Sequence, residues 1–151
     1  VAELPAVLVS PGATVALRRA VLRPHESEAQ VAAAMADPRL VAVGVPDGDR
    51  LLACALAQPE PCPDPVASTS PWRLRGMATE PGHRGRGLGA SVLARLLTEV
   101  ADRGGDLVWC NARVPAVALY ERAGFVVLGE PWEEPVIGPH VRMAVSLPPG
   151  G

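Results

Sequence analysis

The sequence predicts a mixed α/β fold in which most strands are antiparallel neighbours. Three observations carry this. Two short apolar runs, residues 40–45 and 51–57, flank Pro46-Asp47-Gly48-Asp49, which is a hairpin signal. Leu88, Val92, Leu93, Leu96, Leu97 and Val100 recur at helical spacing, and Gly104-Gly105 supplies the stop. Read in order, the remaining stretches give β-α-β-β-β-α-β-α-β-β.

Residues 1–13 hold Pro5, Pro11 and Gly12 around Val7-Leu8-Val9 and read as a lead-in or an edge segment. Residues 14–22 alternate weakly and are expected as a first strand, stopped near Pro24. Residues 26–36 are rich in helix formers, with Val31 and Met35 four apart on one face; Asp37-Pro38 ends them. After the hairpin, residues 59–71 contain Pro59, Pro61, Pro63, Pro65 and Pro71 with Ser68, Thr69 and Ser70, a surface loop. It reads either as a wall of a substrate cleft or as a tolerated insertion. Residues 72–79 and 107–110 are strand-like, and Trp72 and Trp109 within them are expected to pack. Pro115 suits the first turn of a short helix ending at Gly124, and residues 125–128 and 140–147 read as two final strands. One domain is expected over residues 14–148.

With 151 residues, 48% of them hydrophobic, the chain suits a single domain that folds without disulfides or a structural metal. Cys54, Cys62 and Cys110 are odd in number and lack a CxxC spacing; His25, His83 and His140 form no HxxxH pair. Neither a disulfide framework nor a metal site is expected. A net charge of −2 argues against a dedicated nucleic-acid binder. All 14 basic residues are Arg, so a Walker phosphate loop, a lysine Schiff base and a Ser-Lys dyad are excluded. The start of the chain does not read as a signal peptide, and the longest apolar run is far below the ~18 residues of a bilayer span. The expectation is a cytoplasmic protein that engages no membrane.

The stretch with chemistry in it runs from Met77-Ala78-Thr79 through Arg84-Gly85-Arg86-Gly87-Leu88-Gly89-Ala90. A strand enters a glycine-rich turn, and the turn opens the long amphipathic helix. Glycines let the backbone approach a ligand closely, and the first N–H groups of a helix have no internal partner. With the helix dipole and the forks of Arg84 and Arg86 they make an anion site suited to a diphosphate. The spacing is GxGxG from Gly85, not the GxGxxG of a dinucleotide fold.

Arg84-Gly85-Arg86-Gly87-Leu88-Gly89 resembles the Arg/Gln-x-x-Gly-x-Gly/Ala signature of the GNAT N-acetyltransferase superfamily. Downstream, Ala116-Val117-Ala118-Leu119-Tyr120-Glu121-Arg122-Ala123-Gly124-Phe125 is similar to that family's A-x-x-L-Y-E-x-x-G-F segment. The two motifs stand in the family's order, one helix and one strand apart. The resemblance is clear over residues 72–143, closest to a subset of small bacterial members, and it implies the GNAT-like acyl-CoA N-acyltransferase fold. One departure stands out: seven residues before the tyrosine many members have Asn, whereas this chain has Arg113, with Asn111 two residues earlier.

The resemblance implies acetyl-CoA as co-substrate and direct attack of a primary amine on its thioester. The acceptor would be a small molecule or a protein, and the enzyme a monomer or homodimer; a non-catalytic CoA-binding module is the alternative. By the same resemblance, Met77, Ala78 and Thr79 hold the pantetheine arm, with an oxyanion donor near Ala78. Arg84, Gly85, Arg86, Gly87, Leu88, Gly89 and Ala90 hold the pyrophosphate, and Asn111 and Tyr120 also touch the cofactor. Tyr120, the only tyrosine, matches the general acid for the leaving thiolate. A lysine-like amine of pKa ~10.4 is about 0.04% free base at pH 7, so a base matters for such an acceptor. Candidates are Glu133, Glu134, His140 and Glu80. Adjacent strand residues point to opposite faces, so at most one of Glu133 and Glu134 is expected to face the site. Trp132 is a candidate lining residue, and Cys110 is expected to be buried and inert.

Overall fold

A computed structural model describes residues 4–148. Strands β1 (Val7–Val9), β2 (Val41–Asp47), β3 (Arg50–Pro59), β4 (Pro71–Thr79), β5 (Leu107–Arg113), β6 (Val126–Glu134) and β7 (Gly138–Ser146) form one sheet. Their order is β1-β2-β3-β4-β5-β7-β6, and all neighbours are antiparallel except β4 and β5. The expected hairpin is β2–β3, with Pro46 at the register shift where a missing N–H is tolerated. Val7–Val9 forms the edge strand on β2; residues 1–3 of the expected lead-in lie outside the described residues.

The first expected strand is instead a helix. Pro11–Thr14 makes a 3-10 turn that runs into α1 (Val15–Leu22). Thr14, Leu17, Arg18, Val21 and Leu22 fall at i, i+3, i+4, i+7 and i+8, a helical stripe that its polar members conceal. Leu17, Val21 and Leu22 pack on Leu51, Cys54 and Ala78 of the sheet. Helix α2 (Glu28–Ala33) is shorter than the sequence suggests, because Ser27 and Gln30 close a capping box at its start.

On the opposite face lies α3 (Leu88–Asp102), whose Leu88, Val92, Leu93, Leu96 and Val100 enter the main core with Val43, Val45, Ala53 and Ala55. Burying such side chains contributes roughly 1.5–3 kcal/mol each. A 3-10 turn at Val114–Ala116 leads into α4 (Val117–Arg122), which seats Tyr120 in the same core. The sheet is thus covered by α1 and α2 on one face and by α3 and α4 on the other.

Residues 60–70 cover the remaining part of the α1 face. Trp109 is 1% exposed and donates its indole N–H to the Glu60 carbonyl at 2.9 Å, while Cys62 and Val66 pack on Leu107, Trp109 and Ala144. Asp106 pins the end of this loop: its carboxylate accepts from the Ser68 hydroxyl, from the Thr69 N–H at 2.8 Å and from the Ser70 N–H at 3.1 Å.

The Ser68 hydroxyl and the two amides hold the Asp106 carboxyl well below the usual carboxylate range. A carboxyl with a lowered folded-state value contributes stability above the unfolded value of about 3.9, and that contribution is lost as pH falls through the lowered value. Asp106→Asn should therefore lower Tm at pH 7 and flatten the loss of Tm between pH 4 and 2. A thermal melt series across that window checks it, and an unchanged acid slope would refute the role.

Candidate active site

The two parallel strands stay together only briefly. β4 and β5 pair at Pro71–Leu107, Trp72–Val108 and Arg73–Trp109, and no further. Beyond Arg73 they part, and the sheet opens into a gap at its centre. On the other side of β4 the pairing with β3 shifts, because Leu56 faces Arg75 whereas Cys54 faces Ala78. One extra β4 residue is accommodated at Gly76, which has φ +63°. Arg75 and Gly76 consequently both face α1, and a Cβ on Gly76 would strike Arg18 Nε and come within 2.8 Å of Leu56 Cδ1.

The bulge also decides which amides meet the gap. Glu80 N–H bonds the Leu52 carbonyl at 2.8 Å, so Glu80 and Ala78 donate toward β3. The alternation turns the Thr79 amide the other way, away from β3, whereas Met77, next to the bulge, has no Cα partner on β3.

The glycine-rich turn follows directly. A 3-10 turn at Pro81–His83 leads to Gly85 and Gly87, at φ +81° and +76°. A Cβ would meet nothing at either, so glycine serves the left-handed backbone there and not the packing. Gly87 is the N-cap of α3 and no side chain caps it. The first helical bond runs from Ser91 N–H to the Gly87 carbonyl at 3.0 Å. That leaves the N–H groups of Leu88, Gly89 and Ala90 without intrahelical partners. Arg84 and Arg86 are exposed beside them, and Arg86 Nη1 lies 2.7 Å from His83 Nδ1. At Gly89 a Cβ would lie 3.4 Å from Leu119 Cδ2, 3.6 Å from Met77 Cε and 3.8 Å from Thr79 Oγ1. The helix start, the end of β4 and α4 converge there.

A cleft of about 440 Å³ passes through the gap. Tyr120 and Ala116 line it on the α4 side, Leu74, Gly76 and Met77 on β4, and Cys110 on β5. Tyr120 is 5% exposed, its ring tilted on Phe125 with centroids 5.2 Å apart. Burial raises its phenol further above the ordinary value, so the hydroxyl stays protonated throughout the neutral range. Cys110 is buried and its thiol is pushed up to about 12 by desolvation, which makes it inert as expected.

The candidate bases separate cleanly. His140, 7% exposed, lines the cleft with its ring stacked on Trp132 at 5.8 Å. Its Nδ1 lies 2.8 Å from the Gly138 carbonyl, which leaves Nε2 as the acceptor in the neutral ring. Strand β6 extends past the sequence expectation to Glu134, so Glu133 and Glu134 alternate within it. Glu134 lines the cleft and accepts from Trp132 Nε1 at 2.7 Å, whereas Glu133 is exposed and away from it. Glu80 is likewise outside, paired with Arg50 at 3.0 Å. Asn111 reaches the rim, but its Oδ1 accepts from Arg142 at 3.1 Å in a network with Asp64. None of the residues 59–71 lines the cleft; that loop seals Trp109 instead. Arg113 donates to the Leu22 carbonyl at 3.0 Å and ties the end of α1 to β5 across the opening.

The Acetyltransferase (GNAT) family matches over residues 14–125. The chain belongs to the GNAT acetyltransferase family. It is 33% identical over 135 residues to an uncharacterized N-acetyltransferase, YitI, of Bacillus subtilis (strain 168), covering 89% of this chain and 90% of that protein. Among solved structures, an aminoglycoside 6'-N-acetyltransferase complexed with coenzyme A matches with a TM-score of 0.73 at 18% identity, covering 95% of this chain and 97% of that one. The ribosomal-protein-S18-alanine N-acetyltransferase of Escherichia coli matches with a TM-score of 0.73 at 21% identity, covering 97% and 95%. These structures share the mixed α/β fold of this chain, and the chain is an N-acetyltransferase of the GNAT family.

Arg18, which sequence reading missed, also lines the cleft. Its only sequence signal was a charged residue in the apolar stripe of a helix read as a strand. The bulge that places it is testable. Gly76→Ala should lose ~1–3 kcal/mol, the range for a residue held at a disfavoured backbone angle. A urea midpoint shift at unchanged m-value checks it.

Proposed function

We propose that this GNAT enzyme transfers the acetyl group of acetyl-CoA to a primary amine by direct attack within a ternary complex. The observation that carries the reading is the convergence at Gly89. Three amides at the start of α3 without intrahelical partners, the end of β4 at Met77 and Thr79, and the helix bearing Tyr120 meet around one gap in the sheet. The amides of Leu88, Gly89 and Ala90 with Arg84 and Arg86 suit a pyrophosphate, and an added extended chain suits the open edge of β4.

The amine enters from the α1 and α2 side. Its nitrogen forms a bond to the thioester carbon, and the carbon–sulfur bond breaks. An outward β4 amide beside Ala78 donates to the carbonyl oxygen as charge develops there. The departing sulfur takes the proton of the Tyr120 hydroxyl, and the amine proton passes to His140 Nε2 directly or through water. Glu134, oriented by Trp132, supports the positive charge that His140 then carries. Holding both reactants in one cleft supplies the main part of the acceleration, because a bimolecular encounter becomes effectively intramolecular.

Tyr120→Phe should lower kcat by about 10²-fold or more, the scale of general acid catalysis, and leave the KM for acetyl-CoA within a small factor. Thiol release with an amine panel measures both, and an unaltered kcat would remove Tyr120 from its role. Because burial raises the phenol, kcat should rise with pH to a plateau and show no descending limb below about pH 10. Coenzyme A at 100 times its Kd should stabilise the protein by ~2.7 kcal/mol, read as a raised Tm.

A further inference from the structure

The wall of the cleft that faces α1 and α2 is strongly cationic. Arg18, Arg23, Arg73, Arg75 and Arg113 line it, against Glu26 and Glu134. Several of these charges are already engaged. Arg23 faces Glu26 at 3.8 Å, Arg73 pairs with Glu60 at 3.3 Å, and Arg113 is held by the Leu22 carbonyl. Glu134 accepts from the Trp132 indole.

Arg18 is different. It is 5% exposed, and its Nε and Nη1 are buried with no hydrogen-bond partner among the described residues. Neither Arg18 nor Arg75 has a carboxylate within ion-pair distance among those residues. Buried polar groups are satisfied in the great majority of cases, and an unpaired buried charge is among the costliest arrangements a fold can hold. A guanidinium cannot escape that cost by giving up its proton. Burial and the neighbouring Arg75 and Arg23 work against its charge and outweigh the support of Cys54 and Glu26, and no carboxylate of the described residues pairs with it. Beside these arginines the cleft has apolar walls from Leu22, Val31 and Ile137, room for the body of a small molecule.

We infer that the acceptor is a small amine bearing an oxyanion, a carboxylate or a phosphate-type group, that Arg18 binds at the floor of the cleft with Arg75 beside it. This rests on the transfer reading above and names the acceptor class for the same site. The charge pattern also turns away polycationic amines, since like charges brought together in a cleft repel.

The test offers the wild-type enzyme acetyl-CoA with matched acceptors: amino acids, their amides, the corresponding alkylamines, aminoalkylphosphonates and spermidine, with products read by mass spectrometry. The best acceptor should carry an oxyanion and should lose about 100-fold in kcat/KM when that group becomes an amide. The carboxylate and phosphonate arms separate the two sources of negative charge. Arg18→Met should raise the acceptor KM at least about 30-fold, leave kcat within a small factor, and hold or raise Tm, because an apolar side chain of similar size replaces an unpaired buried charge. A purely structural Arg18 would instead lower Tm and leave KM alone. A best acceptor that is neutral or polycationic, or a KM indifferent to Arg18, would overturn the inference while acetyl transfer stood.

Should no amine be acetylated although coenzyme A raises Tm, the transfer reading fails by itself. The oxyanion inference is then decided by Tm in millimolar amino acids and aminoalkylphosphonates. Stabilisation that Arg18→Met abolishes supports it, and no stabilisation refutes it. If Arg18→Met does not fold, Arg75→Gln carries the same KM comparison, with a rise of about tenfold expected and an unchanged KM counting against the proposal.

Discussion

Everything at this site depends on two neighbouring strands that cease to be neighbours. β4 and β5 share three parallel pairs at one end and none at the other, in the middle of a seven-stranded sheet. A strand interior normally satisfies its N–H and C=O groups on both sides. Past Arg73, β4 keeps only β3, and β5 keeps only β7. On the sides that face the gap neither strand has a strand partner, and an extended ligand with amide groups of its own would suit such an edge. The opening is wide enough for a cleft because the bulge at Gly76 turns β4 locally, and because α1 and α4 stand on opposite faces of the gap. The cleft thus follows from one interruption in hydrogen bonding.

The rest of the fold keeps that interruption stable. The α3 stripe locks β2 and β3 from below, so the edge of the gap on β4 is rigid where it meets the glycine-rich turn. Arg113 closes the opposite side by joining the end of α1 to β5. The proline-rich loop occupies the face where a helix is lacking. Its anchor at Asp106 lies just before β5, beside the Pro71–Leu107 pair at the end of the paired stretch away from the gap.

How much of this could be read in the residues varied with the physics involved. The α3 stripe, the hairpin and the turn with Gly85 and Gly87 are local: spacing and backbone preference suffice to place them. The alternation that separates Glu133 from Glu134 is also local, and of the two only Glu134 lines the cleft. What stayed hidden needed tertiary knowledge. Residues 14–22 looked weakly alternating because Thr14 and Arg18 occupy stripe positions with polar side chains, and only packing on Cys54 and Ala78 reveals the helix. The bulge at Gly76 leaves no mark in periodicity, so the amide of Ala78, turned toward β3, and that of Thr79, turned away from it, were indistinguishable. Arg113 stood out as a departure from the family pattern, but its partner is a backbone carbonyl 91 residues away.

The charge distribution shows why whole-chain arithmetic did not register the cationic cleft. A net charge of −2 is a sum over the whole chain and says nothing of where the charges sit. The cleft has the opposite sign, and it is built only of arginine in a chain with no lysine. That choice has a physical consequence. A lysine at position 18 would shed its proton under burial and repulsion, whereas a guanidinium retains its charge. A cleft of fixed positive charge acts twice on an amine that carries an oxyanion. It attracts the anionic end, and by repulsion it lowers the pKa of the ammonium end, raising the fraction present as free base. The two effects act on opposite ends of one small molecule, so binding orientation and activation of the nucleophile come from the same arginines. On the proposed reading the base then has less to do than one facing an unperturbed ammonium, which fits a single imidazole, His140, held by a backbone carbonyl and stacked on Trp132.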